Sequence, residues 1–520
     1  MSETANLRFT GHALIDVGVA GVCAFAKRKR PEEVTLDDLD RVSAFMVETY
    51  YGEKERLFSY LSCVFMNASF TQANKDQKPE TKEAFINQYL RAHRALPDPL
   101  VAGQHCAFSG LPATSPLVRT HFPLFSGEGV VNFRPDGESW VPAAGPFIVA
   151  LMFLPMASRR AEGKLLAVHS EDAGLTLGFA RRSLEGNRRL LEMPLPNTRV
   201  ANDLVPGCES ELSKWDAGKN RYKFADVKGP RSFVIANLGE IAREAAPSDI
   251  RAHQVGVTVY LISNSGQGPS CEIFDVPGGV TSFVIRAAER PNTKAWEAVT
   301  KRFWPVKGQS EEDEPAKALK KKRAPSKAPA PEGRPGWSKN PAFEALCSIY
   351  EPGFLDRQAA GRWLSRYVLG RIGDDRGPRH YEKNDARLWA LAELFLKEVM
   401  GMKAARIETI KKFADKLADW IASKNDKKLY RSLMIERVSE LRRGLRRVQQ
   451  DGAKGGALLF GLDEYAAVWL HEDGDEWLVR DLICIRVVET LCQRKFFDEN
   501  PDAIIETLET EEAKNEEDGR

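Results

Sequence analysis

His121, Asn132 and His169 come nearest to a catalytic set in this 520-residue sequence, because imidazole and amide groups are what a metal-dependent nuclease gathers around its cation. Their spacing is loose, and scattered structural roles explain the same residues. Other signatures are absent. The chain has no GxGxxG after a strand, no GxxxxGK[ST] phosphate loop, no HExxH and no GxSxG elbow, and His471-Glu472 has no second histidine beside it. Nucleotide-dependent, zinc-protease and serine-hydrolase chemistry therefore lose their sequence support. The expectation is a chain that catalyses nothing, takes no cofactor or metal and acts by binding.

The residues suited to binding are basic and polar, because Lys and Arg neutralise phosphates while amides and hydroxyls reach base edges. Arg181-Arg182 with Arg188-Arg189, and Lys219, Arg221 and Lys223 around Tyr222, form clusters in the N-terminal half. Each reads equally well as a solvated face. Asn264, Ser265 and Gln267 lie in a loop between two strand-like runs, placed either for base edges or for plain turn chemistry. In the C-terminal half Tyr430, Met434, Val438, Leu441, Leu445 and Val448 predict one helix. At about 100° per residue Lys428, Arg431, Arg442 and Arg446 share a sector beside that stripe, with Arg443 and Arg447 on its flank. Such a ridge suits sequence-independent contact with a single strand, unless it is an ordinary exposed face offset by Glu436 and Glu440. Trp337, Trp363, Tyr367, Tyr381 and Trp389, set among arginines, supply stacking partners for bases or core filling.

More than one domain must carry these residues, since single cores seldom exceed about 200 residues. Composition is globular, 43% hydrophobic and 28% charged, which excludes a wholly disordered, fibrous or membrane-embedded chain. Lys and Arg number 75 against 73 Asp and Glu, a net charge of +2, so charge distribution and not total charge has to attract a polyanion. Ala13 to Ala26 is apolar but contains Asp16 and carries its basic cluster, Lys27 to Arg30, on the wrong side for a signal peptide. Phe147 to Met156 is about half the roughly 20 residues of a membrane helix, and the eight cysteines form no CxxC pair. A cytoplasmic protein with reduced thiols and no membrane partner is expected.

Between Pro305 and Gly336 an acidic run, a basic run and then Pro325, Pro329, Pro331 and Pro335 leave little to bury, which predicts a tether over residues 305–336. Before it, Leu36 to Ser62 has helical spacing with Thr35 as N-cap, Val255–Asn264 and Cys271–Val276 read as a hairpin, and Ser232–Leu238 and Thr281–Ile285 read as further strands. The expected fold is an α+β N-terminal domain over 1–304. After the tether, stripes at Leu388, Leu391, Phe395 and Val399, and at Ile407, Ile410, Phe413, Leu417 and Ile421, predict an all-α helical bundle over 337–505. A glutamate-rich acidic tail, 506–520, closes the chain.

Four segments in order carry a resemblance. They are Thr10 to Gly21 (TGHALIDVGVAG), Asn132 to Gly137 (NFRPDG), Leu154-Pro155 with Gly163 to Ser170 (GKLLAVHS), and Gly256 to Ser270 (GVTVYLISNSGQGPS). Together they resemble the CXXC-CXXC family of CRISPR-associated proteins, large subunits of type I-B-like Cascade surveillance complexes. The chain departs from the family where its two CxxC pairs would stand: only Cys106 remains, with Ser109, Ala144 and Phe147 at the other positions. One thiol cannot hold a tetrahedral zinc, and the expectation is that packing by Pro146, Phe147 and Ile148 replaces the metal.

The resemblance implies a non-catalytic subunit of an RNA-guided DNA-binding complex, in which guide pairing reads the target and protein reads a short adjacent duplex motif. Its implied partners are CRISPR RNA, double-stranded target DNA and its displaced strand, the Cascade backbone and guide-end-capping subunits, and a recruited helicase-nuclease. The C-terminal bundle resembles a Cascade small subunit, which relatives also make from an internal start. Met400 and Met402 are candidate starts, each expected to cut a helix. The rival from another class is a metal-dependent nuclease or a transposition-linked nucleic-acid enzyme.

Overall fold

The computed structural model describes residues 3–52, 54–66, 68–71, 78–123, 138–192, 215–216, 221–222, 227, 229–244, 255–264, 269–303, 340–368, 385–434, 438–456, 458–470 and 476–500. The chain forms two compact units, one of residues 1–285 and 303–347, the other of 286–302 and 348–520. An α+β first unit and a helical second one match the expected fold class.

The first unit is built around α1 (Ala13–Ala26), a helix apolar on nearly every side and buried accordingly. Gly18 and Gly21 let it approach α5 (Gly145–Phe153) at backbone contact. A Cβ on Gly18 would stand 2.2 Å from the Ala150 carbonyl oxygen, and one on Gly21 2.5 Å from Cβ of Ala157. Beside it lie α2 (Leu36–Gly52), α3 (Lys54–Leu61) and α4 (Pro79–Phe85). Thr35 caps α2 reciprocally, its Oγ1 accepting from Asp38 N at 3.2 Å while Asp38 Oδ2 accepts from Thr35 N at 3.1 Å. A short ribbon of β1 (Ser115–Leu117) and β2 (Val141–Ala143) precedes α5.

The central sheet has four antiparallel strands in the order β3 (Arg159–Ala161), β4 (Lys164–His169), β7 (Val257–Ser263), β8 (Ser270–Val276). Between β4 and β7 come α6 (Ala173–Glu192), the ribbon β5 (Trp215–Asp216) with β6 (Arg221–Tyr222), and α7 (Pro230–Glu244). The expected hairpin is present, in register from Val257 opposite Val276 to Ser263 opposite Ser270. Two expected strands are helices instead. Ser232–Leu238 lies in α7, and Thr281–Ile285 in α8 (Gly278–Ala288). Both are buried on several sides, so their apolar residues run together and lose the period that separates helix from strand. α9 (Thr293–Phe303) and α10 (Pro341–Ser348) stand on either side of residues 304–339, so the expected tether lies outside the described residues.

The second unit is helical: α11 (Arg357–Tyr367), α12 (Asp385–Glu398), α13 (Ala404–Lys424), α14 (Lys427–Met434), α15 (Val438–Lys454), α16 (Leu462–Trp469), α17 (Glu476–Gln493) and α18 (Phe496–Glu499). The stripe Ile407, Ile410, Phe413, Leu417 and Ile421 is the buried face of α13, as expected. Across that interface Arg486 of α17 binds Asp415 at 2.9 Å.

The single helix expected through Tyr430 and Val448 is in fact two helices packed antiparallel. Arg447 reaches Asp426 at 2.9 Å, although 21 residues of straight helix would hold them about 31 Å apart. Gly444 permits the return, since a Cβ there would meet Ser432 Oγ at 2.7 Å. Met400 and Met402 lie between α12 and α13, so neither cuts a helix. Among the described residues no helix is long and apolar enough to cross a membrane.

Candidate functional site

Three of the four family-like segments meet in the first unit, brought there by the contact of α1 with β4 and of β4 with β7. Asp16, one turn into α1 and buried, accepts hydrogen bonds from Thr10 N at 2.7 Å, Thr10 Oγ1 at 2.8 Å and Gly11 N at 2.9 Å. His169 at the end of β4 places Nε2 3.4 Å from Asp16 Oδ2. Burial works to raise the Asp16 pKa, yet the bonds from His169, Thr10 and Gly11 outweigh it and hold the carboxyl below its ordinary value. His12 is shifted down, chiefly by burial and against the pull of Asp16; its ring packs edge-on to Phe108 at 5.3 Å and beside Phe122 at 5.4 Å.

From His169 the polar row continues across the sheet. His169 stands opposite Thr258, and Thr258 Oγ1 donates to Asp275 Oδ1 at 2.7 Å on β8. Ser170 Oγ donates to the Gly256 carbonyl at 2.8 Å. The Asp16–His169 pair can orient an imidazole and hold the 10–12 loop, and its carboxylate is already occupied by that loop. Among the described residues no three His, Cys, Asp or Glu side chains are grouped to hold a metal ion.

The segment around Cys106 is a tight loop seated on β2. Cys106 N donates to Leu111 O at 2.7 Å, Gly110 N returns to Cys106 O at 2.9 Å with Gly110 at φ 72°, and Ala107 N donates to Pro142 O at 3.0 Å. Cys106, Ala144, Phe147 and Ile148 all belong to one apolar core.

The base-reading expectation for Asn264 is corrected by its burial. The side chain is fully buried, Nδ2 donating to the carbonyls of Val64 at 3.0 Å and Arg119 at 3.1 Å. It ties three distant stretches together and has no face turned to a ligand. Ser265 and Gln267 lie outside the described residues, as do Lys219, Lys223 and Asn132; Arg221 is described only as backbone of β6.

Of the remaining cations, Arg181, Arg188 and Arg189 share the exposed face of α6, and no ion pair within the described residues engages them. Arg188 lies over the Phe25 ring at 5.8 Å and, with Phe45, Glu48 and Leu191, lines an open cleft between α2 and α6. Arg182 turns the other way, to Asn237 at 2.8 Å and Glu244 at 2.6 Å. In the second unit the expected single ridge is broken by the helical hairpin. Arg442 pairs with Glu476, Arg443 with Glu440 at 2.8 Å and Arg447 with Asp426, while Lys428 and Arg446 are exposed and Arg431 is half-buried.

His121 is not at hand for a cation. Its ring stacks on Tyr89 at 3.8 Å beside Phe85, and burial pushes its pKa down to about 3. The residues that sequence reasoning passed over are structural anchors of the Leu154-Pro155 segment. Asn187 Nδ2 donates to the carbonyls of Pro155, Met156 and Ser158, and the Tyr60 hydroxyl donates to that of Pro155 at 2.6 Å. A lone Asn on the apolar side of a helix was the available signal. No protein-family model, curated protein or solved structure matches this chain.

Proposed function

We propose that the chain is the non-catalytic large subunit of a CRISPR RNA-guided DNA surveillance complex acting in the cytoplasm. It recognises a motif beside the target, promotes R-loop formation, holds the displaced strand, and recruits a helicase-nuclease in antiviral defence. Its partners are CRISPR RNA, target DNA, and the backbone and guide-end-capping subunits of Cascade. The observation that carries this reading is the convergence of segments 10–21, 163–170 and 256–270, which lie far apart in the chain and meet through the Asp16–His169 pair and the Ser170–Gly256 bond. The exposed arginines of α6 add a surface able to take phosphates. Co-expression with a guide RNA and the companion subunits tests the proposal: the chain should co-purify with a short processed RNA, and a preparation that contains neither RNA nor companions refutes it.

A nuclease is the second reading, and the Asp16–His169 pair is the one observation in its favour. It requires multiple-turnover DNA cleavage with magnesium or manganese, abolished by His169→Ala or His121→Ala.

A further inference from the structure

The two units do not divide at residues 305–336, the segment expected as a tether, which lies outside the described residues. α9, which precedes it, lies in the second unit except for its last residue, and α10, which follows it, lies in the first unit except for its last residue. Each half of the chain thus carries a helix that completes the unit built mainly by the other half.

The seat of α10 is specific. Ala342, Phe343, Leu346 and Cys347 are buried. Glu344 sets its carboxylate on the first turn of α7, where Ser232 N donates to Oε1 at 3.1 Å and Ser232 Oγ donates to the same oxygen at 3.0 Å. That turn has backbone N–H groups without partners inside its own helix, and it favours a negative charge. Asn340 N in turn donates to Ser232 Oγ at 2.7 Å, and Asn340 Oδ1 caps α10 by accepting from Ala342 N at 2.9 Å. On the other side, α9 buries Ala295, Trp296 and Val299, and just ahead of it Arg286 meets Glu398 of α12 at 2.6 Å.

We infer that the two halves of this chain recognise each other without the covalent link: α10 is a docking helix, the start of α7 is its receptor, and the occupant is the chain's own C-terminal half. A second copy of that half carries the same Asn340, Phe343, Glu344 and Leu346 and competes for the same seat. This inference stands independently of the proposed function.

The test uses the full chain with a sequence-specific protease site placed between Ala324 and Pro325 and cut after folding. The nicked protein should elute from size exclusion as one species at the position of the uncut chain. With a fluorophore on each half, dilution into excess unlabelled nicked chain reads the rate at which halves exchange. Glu344→Gln removes the charge from a half-buried charge-assisted bond pair and should speed that exchange about tenfold, with Ser232→Ala acting in the same direction. Two separate peaks from the nicked parent overturn the inference, and so does an exchange rate that neither substitution changes.

Discussion

His121 makes the first unit sensitive to acid, and the size of the effect can be worked out. Its ring is stacked against Tyr89 and Phe85 with almost no exposure, and burial lowers its pKa from 6.5 to about 3. The unfolded chain therefore takes up a proton near pH 6.5 that the folded chain refuses until near pH 3. Stability from this residue is complete above pH 6.5 and is lost as pH falls toward 3. Between pH 7 and pH 5 the loss amounts to about 2 kcal/mol, and each further pH unit costs about 1.4 kcal/mol until the folded state protonates.

His121→Phe preserves an aromatic ring in an aromatic box and removes the titration. The assay is urea unfolding at pH 7, 6 and 5, read by hydrogen exchange of peptides from α1 and α5 so that the first unit is followed by itself. The parent should lose about 2 kcal/mol more than the variant between pH 7 and pH 5, with about 0.7 kcal/mol of that by pH 6. His12, also shifted down by burial, titrates in both proteins and cancels in the comparison. Parallel pH profiles for parent and variant would refute the reasoning, because they would mean that the folded state accepts the proton as readily as the unfolded one.

Other outcomes follow from the same structure. Gly18→Ala should cost at least about 3 kcal/mol in thermal unfolding, since its Cβ would stand 2.2 Å from a carbonyl oxygen that belongs to backbone. Asn264→Ala should destabilise by about 2 kcal/mol in urea titration, through the Val64 and Arg119 carbonyls left without this donor. Under the proposed function, reversing Arg181, Arg188 and Arg189 to Glu should weaken DNA binding and reduce the slope of log K against log salt by about 2–3. Arg447→Gln should instead lower the melting temperature of the helical unit while leaving that slope unaltered, because its guanidinium is already paired with Asp426.

The elements legible in advance were those with a local cause. Thr35 and Asp38 lie three residues apart and cap one helix, and the β-branched run before Ser265 can pair with Cys271 to Val276 through a short turn. α7 and α8 were not legible as helices, because burial on several sides erases the polar positions that mark a period. The α14–α15 hairpin kept one apolar phase across its turn, and Gly444 was the sign overlooked: a glycine inside a helix where another helix must pass close. The site itself depended on non-local pairs. Nothing in the spacing of Asp16 and His169 announces that they meet. The loop position of Asn264 fixed its place in the chain but not the direction of its side chain, and Val64 and Arg119 supply the carbonyls that turn it inward.

That difference between position and partner also decides which cations can serve a nucleic acid. A guanidinium held by a carboxylate of its own fold exchanges one anion for another when it takes a phosphate. The gain is small, and the carboxylate left behind repels the incoming strand. Arg442, Arg443 and Arg447 are in that condition, so a strand laid along α15 would have to break the contacts that pin α15 to Glu476 and Asp426, and the Arg443–Glu440 pair within α15 itself. Arg181 and Arg189 are not so engaged, and Arg188 spends only its flat face on Phe25. Under the proposed function, phosphate contact therefore favours α6 over the helical hairpin, on which Lys428 and Arg446 are exposed. Measured salt dependence should accordingly fall with substitutions in the first unit before it responds to any in the arginine-rich α15.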